Sequence, residues 1–202
     1  MQRNKNKQQT HSPRRRKGVR EAVAVFRSPH GLCLAGLLAA LSLILGKFLQ
    51  IPTPFSQLVR ISFENLPVIL AGVVLGPLAG AMTGAVADLV GCLLYGYAIN
   101  PLIMVGAAVV GFIAGLCAWT FSDTRLWLRL AVSVVTAHTL GSVLIKSLGL
   151  AAWYLASYEM GYWELVLWRA LTYALISVLE TMLLYFLLRH RGVAKQLERM
   201  CR

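Results

Sequence analysis

The sequence predicts an all-α membrane protein with six transmembrane helices and both termini in the cytoplasm. Three observations carry this. The 202-residue chain is 57% hydrophobic and 14% charged, whereas ordinary soluble domains carry about 25% charge. Several apolar runs approach the roughly 20 residues that cross a bilayer core. The basic residues gather at the two ends: Arg3, Lys5, Lys7, Arg14, Arg15, Arg16, Lys17, Arg20 and Arg27 at the start, and Arg189, Arg191, Lys195, Arg199 and Arg202 at the finish. Lys and Arg mark the cytoplasmic flank of a membrane segment, and an even number of spans returns the chain to that flank.

Residues 1–30 read as a basic disordered cytoplasmic tail, 31–190 as the six-helix membrane domain and 191–202 as a second basic cytoplasmic tail. Span one is Gly31–Leu49. A polar, proline-containing loop follows from Gln50 to Arg60. Span two, Ser62–Leu75, is short for a full crossing and is expected to tilt or lie partly in the interface. Gly76-Pro77 hinges it to span three, Leu78–Tyr95. Gly96–Pro101 is a short loop, Leu102–Thr120 the fourth span and Phe121–Arg125 a turn. The fifth span, Leu126–Ala156, is long enough to tilt or bend at Gly141 or Gly149. The sixth is Trp163–Leu188. This count puts the turn with Arg125 and Arg129 inside, and leaves Arg60 as the one basic residue of the outer loops.

Composition excludes several classes. The net charge of +12 lies in the tails, where it suits anionic lipid; no folded basic face or stacking module accompanies it, so no nucleic-acid partner is expected. The charged N-terminus is too long for a cleaved signal peptide. Cys33, Cys92, Cys117 and Cys201 are scattered without a CxxC pair, which suggests neither a disulfide framework nor a metal site. No cofactor motif is present. Gly141-Ser-Val-Leu-Ile-Lys146-Ser147 lacks the second glycine of a phosphate loop, and no protease motif appears. The chain is therefore read as a non-enzyme that leaks, couples to an ion or borrows an engine.

Small residues and isolated charges say where its function lies. Gly72, Gly76, Gly80 and Gly84 recur every four residues, a spacing that lets helices approach closely in lipid, and the stripe runs on to Asp88. Asp88, Lys146 and Arg169 fall in the outer halves of spans three, five and six, with Glu64 beside Arg60 near the outer end of span two. Charges at such depth face one another or a wet cavity. Two readings stay open: a structural ion pair of Asp88 with Lys146 or Arg169, or a cavity in which Arg60, Lys146 and Arg169 meet an anionic solute. Tyr95, Tyr97, Trp153, Tyr154, Tyr158, Tyr162, Trp163 and Trp168 crowd the same side, as an interfacial belt or in part as walls for a flat ring. Tyr97 and Asn100 are the favoured loop contacts. His138 reads as a hydrogen-bonded packing residue and Glu180 as a polar contact between helices. Span one carries Gly31, Ala35 and Ala39 at four-residue spacing, with Gly36 and Ala40 as a second stripe, for packing or for a partner helix.

Taken together, Arg60-Ile-Ser-Phe with Leu66-Pro67, Leu75-Gly76-Pro77-Leu-Ala-Gly80, Ala87-Asp88-Leu-Val-Gly91, Tyr97-Ala-Ile-Asn100-Pro101, Ile145-Lys146-Ser-Leu-Gly149-Leu and Arg169 resemble the substrate-binding (S) components of energy-coupling factor vitamin transporters. The folate-type family is the most similar. The resemblance covers Gly31 to Arg189. It implies capture of folate or a related anionic vitamin at the outer face of a bacterial cytoplasmic membrane. Arg60, Glu64, Asp88, Tyr97, Asn100, Lys146, Trp153 and Arg169 would form the site. It further implies docking through Ala35 and Ala39 to a membrane coupling subunit driven by two ATPase subunits. The rival readings are an ion-coupled carrier using Asp88, Glu180 and His138, and an assembly subunit that only binds partners.

Overall fold

In the computed structural model the described residues are 28–53, 56–154, 161–190 and 192. The helices are α1 (Pro29–Phe48), α2 (Asn65–Leu75), α3 (Pro77–Tyr95), α4 (Pro101–Thr120), α5 (Leu126–Ala137), α6 (Lys146–Tyr154) and α7 (Tyr162–Arg189), with a π-helical segment, His138–Ile145, joining α5 to α6. α5, the π segment and α6 together make the fifth span. Among the described residues, five helical stretches are long and apolar enough to cross a membrane, with α2 as a shorter apolar helix. Eleven residues of α2 rise only about 16 Å, half of a bilayer core. α7, with 28 residues, exceeds the core thickness and must tilt or protrude.

The helix ends follow local chemistry. Pro29, Pro77 and Pro101 occupy first-turn positions, where the missing N–H costs nothing. Gly96 closes α3 in the left-handed conformation, a normal glycine stop. Gly76, at φ +106°, turns the chain from α2 into α3. A side chain there would be strained by the backbone and would also strike the Trp119 ring.

The expected polar loop after span one differs from a plain loop. β1 (Ile51–Thr53) and β2 (Ser56–Ile61) pair antiparallel, with Ile51 opposite Ile61, Pro52 opposite Arg60, and a register irregularity at Pro52/Thr53. Proline is tolerated on such an edge strand. The predicted loop was legible as polar and proline-containing, but pairing across it depends on the ends of α1 and α2 lying side by side.

The four-residue glycine repeat is split between two helices by Gly76. Gly72 belongs to α2 and Gly80 to α3, and both meet α4. A Cβ on Gly111 would collide with the Gly80 carbonyl, and one on Gly72 with the Gly111 carbonyl. Glycine at these positions brings backbone onto backbone, the packing that drives helix association in lipid. Toward the end of the bundle away from the hairpin the centre is apolar: Leu38, Ile69, Val110, Leu130, Val134 and Leu184 belong to one buried cluster.

Candidate functional site

At the opposite end, α1, α2, α3, α4, α6 and α7 diverge around a cavity of about 280 Å³. Its wall includes Ser42 and Lys47 of α1, Glu64 and Asn65 at the start of α2, Asp88 and Tyr95 of α3, Tyr97, Lys146 of α6, and Arg169 and Tyr173 of α7. The cavity lies where α1 and α3 end and α2 and α4 begin, next to the β1–β2 hairpin.

Lys146 is the buried centre of this wall. Its Nζ donates to Glu64 Oε1 at 3.1 Å and reaches Asn65 Oδ1 at 3.5 Å. The lysine side chain is 7% exposed and its glutamate partner 39%, so the pair is anchored on one side and open on the other. Two glycines make the room. A Cβ on Gly106 would meet Lys146 Cγ at 2.6 Å, and one on Gly46 would meet Glu64 Cβ at 3.2 Å. Ser42 Oγ donates to the Glu64 carbonyl at 2.6 Å, tying the start of α2 to α1.

Arg169 is spent on the backbone. Its Nη2 and Nε donate to the Ser142 carbonyl at 2.6 and 3.3 Å. Ser142 lies in the π-helical segment, where the wider turn displaces the regular ladder and commonly marks functional positions. The guanidinium also stands 5.2 Å over the Tyr173 ring. Tyr173 in turn stacks on His138 at 4.9 Å. Behind it, His138 Nε2 and Glu180 Oε2 are 2.6 Å apart, and both residues are fully buried. His138 Nδ1 lies 3.3 Å from Ser142 Oγ, and Asn65 Nδ2 donates to that same hydroxyl at 3.4 Å. The polar groups thus form one chain from the cavity wall into the bundle, each satisfied by the next, as low-dielectric surroundings require. Glu180 Oε1 is the exception, a buried oxygen with no hydrogen-bond partner among the described residues.

The predicted residues separate into three groups. Glu64, Asp88, Tyr97, Lys146 and Arg169 line the cavity. Asn100 and Trp153 do not. Asn100 caps α4, accepting from the N–H groups of Leu102 and Ile103 and donating to the Gly149 carbonyl at 2.8 Å. Its amide is consumed by structure, and an Asn directly before Pro and an apolar run was itself the sign of a helix cap. Trp153 is half exposed on the bundle's outer surface, where a belt residue belongs. Arg60 stands opposite Pro52 in the hairpin; its side chain, like Tyr154 and Tyr158, lies outside the described residues.

The expected ion pair is also different. Lys146 pairs with Glu64, not Asp88, and Arg169 binds a carbonyl, not a carboxylate. Ala35 and Ala39, expected to face a partner, are turned into the bundle at 8% and 6% exposure. The outward small residues of α1 are Gly36 and Ala40. Sequence reasoning missed Ser42, Lys47, Asn65 and Tyr173 as cavity residues. Lys47 could have been found, since it sits at the outer end of span one; its Nζ lies 4.6 Å over the Tyr95 ring. Among the described residues no cluster of His, Cys, Asp and Glu is disposed to hold a metal.

A multi-span helical bundle with an ionic and aromatic pocket at one end, closed by apolar packing at the other, defines a membrane solute-binding subunit. The chain belongs to the family of the ECF-type riboflavin transporter S component, whose profile matches residues 27–189. It is a substrate-binding transporter subunit, not an enzyme. It is also similar to the crystal structure of FolT bound with folic acid, with a TM-score of 0.61 and 25% identity over 79% of this chain and 92% of that one. No curated protein matches it.

Proposed function

We propose that this chain captures folate or a related anionic vitamin at the outer face of a bacterial cytoplasmic membrane. It then delivers the vitamin by docking to an energy-coupling membrane subunit driven by two ATPase subunits, with both basic tails on the cytoplasmic side against anionic lipid. The observation that carries the reading is the half-open Lys146–Glu64 pair in the cavity. An incoming carboxylate can replace Glu64 on Lys146 without leaving the cation unpaired, and the open side of Glu64 gives the displaced carboxylate room for water. Lys47, and by sequence Arg60, add positive charge near the mouth, and Tyr95, Tyr97 and Tyr173 supply flat walls. The likeness to a folate-bound protein supports the ring-plus-carboxylate ligand class.

The test is binding by the purified full-length protein. A ligand that prefers the folded state raises the melting temperature. Folate is expected to do so, and Lys146→Ala to weaken it by about 100-fold, as for loss of a charge-assisted hydrogen bond. If no vitamin with a ring and a carboxylate stabilises the protein, the proposal fails. Uptake by the chain alone in liposomes, driven by a pH gradient, would instead favour the ion-coupled carrier.

A further inference from the structure

Asp88 is the carboxylate of the cavity wall to which no hydrogen bond or ion pair is made among the described residues. It sits on the α3 face that also carries Gly84, Ala87, Gly91, Cys92 and Tyr95 into the cavity wall. Lys146 is engaged by Glu64, Arg169 by the Ser142 carbonyl and Lys47 by the Tyr95 ring. No hydrogen bond or ion pair reaches the Asp88 carboxylate from the described residues. It is half-buried, with the Lys146 ammonium and the Glu64 carboxylate within electrostatic range and the small or apolar Gly84, Ala87, Ala107 and Leu150 in the same wall. A carboxylate in such a place carries a desolvation cost that a hydrogen-bonding ligand removes.

Resting on the capture reading above, we infer that Asp88 recognises the ring of the ligand, accepting two hydrogen bonds from adjacent N–H donors on one edge. A carboxylate is an acceptor only, with two oxygens spaced for a pair of donors. The 2-amino-4-oxo-pyrimidine edge of a pterin offers that pair, a ring N–H beside an exocyclic NH2. The imide edge of a flavin offers carbonyl, N–H, carbonyl, and two of its three groups would face Asp88 with lone pair against lone pair. The carboxylate therefore selects an aminopyrimidinone over an imide. This separates the two ligand types whose names attach to the family profile and to the solved structure it resembles. Gly84, Ala87 and Gly91 keep that face of α3 small, and Lys146 with Lys47 is left for the acidic end of the ligand.

Binding of folate, of its analogue lacking the 2-amino group, and of riboflavin to the full-length protein in lipid nanodiscs tests this by calorimetry. With the unaltered protein, removing the 2-amino group is expected to weaken binding by about 10- to 100-fold, and riboflavin to bind more weakly than folate. In Asp88→Asn the amide presents one donor where the ring also presents donors. Folate affinity is expected to fall on the order of 100-fold, while the analogue loses far less. Equal affinity of the unaltered protein for folate and its analogue overturns the inference, and needs no variant that folds. Tighter binding of riboflavin than folate also overturns it and leaves vitamin capture standing. Binding of none of the three, nor of any other vitamin, removes the capture reading itself and this inference with it.

Discussion

The two ends of this bundle treat polarity in opposite ways. Around Leu130, Val134 and Leu184 the helices meet through apolar side chains, and at Gly80 and Gly111 backbone meets backbone. Around Lys146 and Asp88 they part, and charges stand in the gap. In lipid a polar group away from water must find a partner inside the protein. The closed end satisfies this by having few such groups. The cavity end satisfies it with contacts that one ligand can replace, since Glu64 is both the partner of Lys146 and reachable from outside. Rigidity at one end is what lets the other stay open: α3 and α4 are pinned at Gly80–Gly111, so they can diverge beyond Gly84 without the bundle collapsing into the space.

The sharpest way to break this division is Gly111→Val. Its Cβ would occupy the position of the Gly80 carbonyl, and neither helix backbone can yield locally. Overpacking typically costs about 1–3 kcal/mol and occasionally more; a clash of side chain with backbone on two pinned helices is expected to exceed that range and prevent folding. Gel filtration of the detergent-solubilised protein should show loss of the monodisperse species. A normal elution profile with an unchanged melting temperature would mean that the α3–α4 contact does not hold the bundle together.

Between the two ends stands the His138–Glu180 pair, 2.6 Å apart and fully buried. Glu180→Ala leaves the imidazole Nε2 without a partner, and breaking a buried pair costs about 3–5 kcal/mol. A melting temperature drop is expected, with folate affinity changed by less than about tenfold, because neither residue lines the cavity. Glu180→Gln keeps a hydrogen-bonding group and should recover most of the stability. If instead Glu180→Gln destroyed ligand affinity while leaving the melting temperature intact, the pair would belong to the cavity end and the boundary drawn here would be misplaced.

Much of this division was legible in the sequence, and the reasons differ by residue. Helix ends were readable because Pro77, Gly96 and Pro101 act through their own backbone chemistry. The depth of Asp88, Lys146 and Arg169 was readable because charges are rare in apolar spans. Their partners were not. Which carboxylate meets Lys146 depends on Gly46 and Gly106 leaving space for Glu64 and for the lysine stem, a property of four helices at once. Arg169 was expected to hold a ligand because its guanidinium is a carboxylate fork. The π-helical turn at Ser142 offers it a carbonyl instead, and the only sequence sign of that turn was Gly141. The capping role of Asn100 had a local signature in the Pro that follows it, and loop position was given more weight.

The smallest effect is expected on α1, the helix that touches both ends. Ala35 faces inward with Leu34 and Leu38 in the apolar cluster, whereas a side chain on Gly36 would meet nothing within 4 Å. Ala35→Trp therefore tests packing, and a loss of complex with the coupling subunit in that variant would say nothing about docking. Gly36→Trp separates the two. Facing outward, it is expected to shift stability by no more than about 0.5 kcal/mol, with folate affinity unchanged, since α1 contributes to the cavity wall only from Ser42 onward. If the coupling subunit docks on this outward face of α1, the yield of co-purified complex should fall sharply in Gly36→Trp while the isolated subunit melts normally. Full complex yield with the tryptophan in place would remove the outward face of α1 as the docking surface. It would leave the contrast between the closed end and the cavity end untouched, because the outward face of α1 lines neither the apolar cluster nor the cavity.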